Sequence, residues 1–361
     1  MRSWLDYFPS WQEPVSIHPA LADVLDLGPR DEAELAYARH VDQADKTEVH
    51  VHAEAAVPPS FYAERSGKPA AAAAPFTDFG DFLRRWMRNL GHLRESADYA
   101  RLGRAFVADR QARNIVRCEC HLSPLDTSLY RARVAPGLPV LSLADNLRHF
   151  AAGVRDGMTA AGGRVRVRVV VDLVSVATPD DLQAAYAALA PFVASADNRD
   201  DSGEPIVVAI GLGGPEQPAR AAFFQTALQP FRALGLRLDL HSGEQPHVTP
   251  TEHAEAVSLL QPDRVGHGFR GASHGYYFPG AIAACPLSNV LLRCHPDSLT
   301  THPIADMYAR TLNVSINTDD PLLLGTNLVL EYVALRRAFG FDREFFAATQ
   351  ATAERQLLAP R

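Results

Sequence analysis

From Glu48 almost to the end of the chain, short β-branched or apolar runs alternate with longer stretches of helical spacing, and no other feature of the 361 residues constrains the fold as strongly. The runs are EVHVHA at 48–53, NIVRCECHL at 114–122, RVRVRVVVDLV at 164–174 and PIVVAIGL at 205–212. LRLDLHS at 236–242, DRVGHG at 263–268, AIAACPL at 281–287 and LNVSINT at 312–318 follow. Strands that alternate with helices predict parallel βα units. Eight such units over about 270 residues predict an α/β fold, a (β/α)8 TIM-type barrel with its chemistry at the C-terminal strand ends. A doubly wound open sheet is the alternative, but no GxGxxG follows the first run to support a dinucleotide site.

Residues 1–45 are rich in proline and acidic residues and end in DEAELAYARHVDQA, whose apolar residues fall at near-helical spacing. The expected organisation is an N-terminal helical lead-in, 1–45, ahead of a barrel domain, 46–361. Packing across the barrel bottom and a homodimer contact are the two roles open to the lead-in. PAAAAAPF at 69–76 reads as a surface linker in the first βα connection, with a lid over the site as its functional alternative.

Composition removes several classes of function. A net charge of −7 repels nucleic-acid backbones and anionic membrane surfaces, so neither is expected as a partner. The four cysteines are too few and too scattered for a disulfide scaffold, the first residues lack a signal peptide's apolar core, and no run is long enough to span a membrane. A cytoplasmic protein is expected. Lys46 and Lys68 are the only lysines, and neither lies in a GxxxxGK[ST] loop, which excludes a P-loop NTPase and disfavours a Schiff-base enzyme.

Histidines and carboxylates collect where the predicted strands end. His50 and His52 lie in the first run, His241 and Glu244 follow the fifth, His267 closes the sixth, and Asp319 with Asp320 follow the eighth. Alternate strand residues share a face, so the His50 and His52 imidazoles project together. Fourteen histidines in 361 positions supply roughly half a chance pair of that spacing, so the pair alone is a weak signal. The joint pattern is stronger, because each group falls at a separate strand terminus. Three imidazoles and one carboxylate make a borderline-soft site that favours zinc over magnesium or calcium. Zinc lowers the pKa of bound water to about 7 and so supplies hydroxide at neutral pH.

HVHAE at 50–54, HSGE at 241–244, VGHG at 265–268, CPLSN at 285–289, HPI at 302–304 and SINTDDP at 315–321 together resemble the adenosine deaminase family. CECHLSP at 118–124 is similar to the family's E-x-R-x-S-P strand, and GLGGPE at 211–216 to its LAGDE turn. The resemblance implies that His50, His52, His241 and Asp319 bind one Zn2+ per chain, with an activated water beside it. It implies that Glu244 protonates purine N1 and that His267 orients and helps deprotonate the water. Asp320 would bond N7, the Gly214 amide would meet N3, and His52 would face the substrate. The shortage of lysine argues independently against a carboxylated lysine bridging two metals. The HxE and PCxxC motifs of the other zinc deaminases are absent.

This chain departs from the pattern at Glu54-Ala55, where family members acting on adenosine usually carry Asp-Gly and the acid reaches the ribose. Glutamate resembles the adenine and aminodeoxyfutalosine branches, and Glu54 is expected to read sugar or base. Ser242, Pro215 and Phe269-Arg270 are further departures. Arg270 reads as a solvated loop arginine, or as a contact for an anionic substrate group. The expected function is hydrolytic deamination of a small-molecule 6-aminopurine, nucleoside or base, to the 6-oxopurine and ammonia. The alternatives are the same site acting on adenine, aminodeoxyfutalosine or a non-purine amino-heterocycle or amide, and a catalytically silent binding protein.

Overall fold

Strands covered on both faces have no need to alternate polar with apolar, and the runs read that way: VVAIGLG is buried at every position. In the computed structural model, which describes residues 4–8, 28–66, 75–272, 274–275, 278, 280–295, 298–310 and 313–358, the eight runs form one parallel sheet. The strands are β1 (Lys46–His52), β2 (Ile115–Leu122), β3 (Arg166–Val174), β4 (Val207–Gly213), β5 (Arg237–Ser242), β6 (Arg264–His267), β7 (Ala281–Ala284) and β8 (Val314–Ile316). Each pairs with the next, in the order β1 to β8. The seam between β8 and β1 is joined just beyond β8, where His52 N–H donates to the Asp319 carbonyl (2.8 Å) and Asp319 N–H to the His50 carbonyl (3.2 Å). Helices surround the sheet, as the (β/α)8 reading predicts, and no described helix is long and apolar enough to cross a membrane.

The seventh and eighth runs end three and two residues earlier than the sequence reading, and the other strand bounds shift by at most two residues. The seventh run stops at Ala284, because Pro286 takes the first position of the helix Pro286–Leu291, where its fixed φ suits the helix and its missing N–H is no loss. The eighth stops at Ile316, and residue 312 lies outside the described residues. Beyond it, the Asn317 side-chain oxygen accepts from the Val49 and His50 N–H groups, standing in for a ladder carbonyl.

The lower barrel interior holds buried charge. Arg264 donates to Asp239, Glu119 and the Gln356 carbonyl, and in the layer between barrel and helices Arg110 of the helix Ala97–Ala112 donates to Glu48 and Asp109. Lys46, at the start of β1, spends its three hydrogens on the Val41, Asp42 and Ala44 carbonyls, capping the helix Glu32–Gln43. That helix begins at the Asp31 cap and packs on Leu328–Phe339, where Glu34 takes two 2.7 Å hydrogen bonds from Arg337. Residues 67–74 lie outside the described residues, and with them most of the linker-or-lid segment. Helix Phe79–Leu90, capped by Asp78, turns Phe79, Phe82, Leu83, Trp86 and Met87 toward the mouth of the barrel.

Candidate active site

The end of β1 carries His50 and His52, and the neighbouring sequence makes room for them. A Cβ on Gly266 of β6 would come within 2.5 Å of the His50 ring, so only glycine lets this imidazole lie across the barrel. His241 is the penultimate residue of β5, His267 ends β6, and Asp319 and Asp320 follow β8. His267 (φ 63°) and Asp319 (φ 62°) adopt the left-handed backbone that non-glycine residues avoid, a strain that recurs where side chains are held for function.

These residues converge. His241 Nε2 lies 3.3 Å from His52 Nε2, and Asp319 Oδ1 lies 3.4 Å from His52 Nε2 and 3.6 Å from His50 Nε2. One ligand atom from each of His50, His52, His241 and Asp319 falls within 4.8 Å of the others. Both His50 nitrogens, His52 Nδ1 and His241 Nδ1 are buried without a hydrogen-bond partner. Burial, then neighbouring imidazoles, hold His50 and His241 below the ordinary histidine range, whereas at His52 burial is outweighed by the carboxylates of Asp320, Asp319 and Asp172, which hold the ring well above it. Buried imidazoles gathered on one carboxylate fit a cation, and an N3O set fits zinc.

A second centre through His121 does not fit. Its Nδ1 lies 2.8 Å from Asp172 Oδ1 and its Nε2 3.1 Å from Asp239 Oδ2. Burial lowers its pKa, but the two carboxylates outweigh burial and hold it up at about 9, so the ring is itself a cation. The sequence reading did not single out Asp172, whose Oδ2 lies 3.4 Å from His52 Nδ1 and 3.2 Å from Ser123 Oγ. Its signal was available: an acid in the otherwise apolar second half of β3.

Glu244 lies across the mouth, its Oε2 3.8 Å from His267 Nε2 and its Oε1 buried without a partner. Burial, then the charges of Asp319 and Glu216, push its carboxyl well above the usual range. Its backbone is fixed by Glu216, which sequence reasoning missed, and by Arg270, to which it gave another role. Glu216 accepts from three consecutive N–H groups, Gly243 (2.7 Å), Glu244 (2.8 Å) and Gln245 (2.6 Å). Arg270, read from the sequence as a solvated loop arginine or a contact for an anionic substrate group, is half-buried and donates to the carbonyls of Glu244 (3.0 Å) and Cys294 (2.7 Å). Burial and Asp319 likewise raise Asp320, whose Oδ1 is unpartnered. Gly214 (φ 79°) edges the cavity, and a Cβ there would stand 3.0 Å from Val174.

The cavity at the mouth measures about 280 Å³, with His52, Glu244, His267, Asp319 and Asp320 in its polar wall. Glu54 does not line it. Its side chain is wholly buried, with Oε1 accepting from the Ser123 N–H (2.8 Å) while Tyr62 Oη donates to its carbonyl (2.7 Å). Burial pushes its pKa up to about 7.

Known proteins share this arrangement of the chain. An adenine deaminase of Agrobacterium fabrum is 26% identical over 326 residues, covering 86% of this chain and 92% of its own. The solved adenine deaminase from Arthrobacter aurescens superposes with a TM-score of 0.69 at 23% identity, covering 87% of this chain and 94% of its own. An amidohydrolase from Burkholderia ambifaria, solved with bound zinc, gives 0.70 at 22% identity, with 96% and 92% covered. The sequence model of the adenosine deaminase family matches residues 45–360, which spans every strand and every residue of the mouth cluster, and the chain belongs to that family.

Proposed function

We propose that this protein hydrolytically deaminates a 6-aminopurine, base or nucleoside, giving the 6-oxopurine and ammonia, with one zinc per chain held by His50, His52, His241 and Asp319. The observation that carries the reading is the placement of Glu244, a carboxyl held in its protonated form, opposite a buried N3O cluster across one cavity. Zinc, when bound, supplies the Lewis acidity that makes hydroxide available near neutral pH. The chain's own residues do the rest. Glu244 gives its hydrogen to ring nitrogen N1 as oxygen adds at C6, so negative charge never accumulates on the ring. Asp320, its carboxyl also raised, hydrogen-bonds N7, and the Gly214 N–H meets N3. His52 borders the substrate, and His267 orients the attacking oxygen. The apolar wall from Phe79 to Met87 keeps bulk water from the ring. The hydrogen of the added hydroxyl then passes to the amino nitrogen as the C–N bond breaks and C6=O forms, so the amino group leaves as ammonia, and Glu244 regains its hydrogen from the water that supplied the hydroxide.

The adenine deaminase relatives support the free base within this class. Glu54 shapes the base site through the Ser123 backbone, a route that a shorter acid would not span. The test is ammonia release by zinc-loaded protein on adenine, adenosine, deoxyadenosine, N6-substituted adenines and aminodeoxyfutalosine, with Glu244→Gln as the blank. Turnover on one of them is expected, adenine first. Silence across the panel with zinc bound overturns the reading and leaves the non-purine substrate or the silent binding protein.

A further inference from the structure

CPLSN and HPI take no part in the chemistry above, yet they stand directly behind His267. Asn289 Nδ2 lies 2.9 Å from His267 Nδ1, and Asn289 Oδ1 lies 3.2 Å from His302 Nε2. The Ile304 N–H lies 3.1 Å from His302 Nδ1. All three side chains are buried, at 1% exposure for His267, 0% for Asn289 and 2% for His302, so water does not compete for these contacts.

One backbone group fixes every hydrogen in this chain. The Ile304 N–H can only donate, so His302 Nδ1 is a lone pair. Burial, then His295 and His267, lower the His302 pKa to about 3, so the ring is neutral and its one hydrogen sits on Nε2. Asn289 Oδ1 accepts that hydrogen, which leaves the amide NH2 facing His267. His267 Nδ1 must therefore accept. The remaining hydrogen of a neutral His267 ring lies on Nε2, the nitrogen that faces Glu244 and the cavity.

We propose that Asn289 and His302 are positioning residues that lock His267 as the Nε2–H tautomer, a hydrogen-bond donor to the reacting oxygen and not a base. This revises the sequence expectation that His267 helps deprotonate water, because its only lone pair is turned away from the site onto Asn289. The kinetic consequence rests on the deaminase reading, whereas the tautomer does not and is measured without turnover.

The experiment is long-range 1H–15N correlation of zinc-loaded, full-length protein with 15N-labelled histidine, the His267 signals being those lost in His267→Gln. Wild type is expected to show a protonated Nε2 and a bare Nδ1. Asn289→Asp presents a carboxylate that only accepts, so the hydrogen moves to Nδ1, kcat falls roughly 10²–10³-fold with the loss of one donor, and KM and zinc content hold. In His302→Phe the amide is free to turn over, and both tautomers appear. A wild-type spectrum with Nδ1 protonated overturns the proposal even if neither variant folds, as does an Asn289→Asp spectrum identical to wild type.

Discussion

The floor of the barrel and its mouth are both lined with buried charge, but the two differ in how that charge is answered. On the floor, Arg264 reaches Asp239 and Glu119 and Lys46 spends all its hydrogens on carbonyls, and just outside it Arg110 reaches Glu48 and Asp109 between barrel and helices. Single atoms such as Asp239 Oδ1 and Arg110 Nε are left over there, but each of these charged groups is answered, the arginines and carboxylates by one another and Lys46 by three carbonyls. At the mouth, the imidazoles of His50, His52 and His241 gather on the Asp319 carboxylate, while Glu244 and Asp320 each carry an unpartnered oxygen beside the same cavity. Burying a polar group without a partner costs roughly 1–3 kcal/mol, so this concentration marks where a ligand completes the structure. The floor is built for folding, and the mouth is built for something that binds.

The contrast breaks most visibly at Glu244. Glu244→Gln is expected to retain zinc and lose kcat by roughly 10²–10⁴-fold, the usual worth of a positioned acid, and metal analysis beside ammonia release checks both halves. On the floor, Arg264→Ala strands two carboxylates and is expected to destabilise the fold by about 3–5 kcal/mol, as breaking a buried pair does. Denaturant unfolding reads that loss, and zinc content of the folded fraction should stay at the wild-type level.

Acid sharpens the comparison, because one histidine behind the mouth is held neutral by burial, whereas the floor rests on fixed ion pairs. Burial lowers the His253 pKa from 6.5 to about 4, behind β5, where it meets Ser242 Oγ at 2.8 Å. Between those two values the unfolded chain binds the extra proton, so stability rises with pH and is lost as pH falls through this window. His253→Gln is expected to flatten the stability-versus-pH slope there by up to about 1.4 kcal/mol per unit, and an unchanged slope assigns it to other groups. The smallest effect falls at Asp172, which braces His52 from behind. Asp172→Asn is expected to weaken zinc roughly 10–100-fold, measured by competition with a chelator, with the unfolding midpoint of metal-free protein little moved.

Much of this was legible before any coordinates. The strands announce themselves because both faces are covered, and the seven mouth residues from His50 to Asp320 announce themselves because each falls where a strand ends. What stayed hidden depends on partners from other strands. Glu216 and Arg270 act on the backbone around Glu244, and Asn289 and His302 act on His267, through contacts that no local spacing encodes. Asp172 was readable as an acid in an apolar half-strand, but its meaning lies in His52 on β1 and His121 on β2. Glu54 shows the reverse: its place beside the histidines suggested a substrate contact, and the turn Ala53–Ala55 instead buries it against Ser123.

The most direct test of the central claim, that the unanswered cluster at the mouth holds one zinc and turns over an aminopurine, is stepwise addition of zinc to metal-free protein while ammonia release from adenine is followed. Activity is expected to rise in proportion and stop at one zinc per chain. Activity that ignores zinc, or that keeps rising to two per chain, contradicts the account.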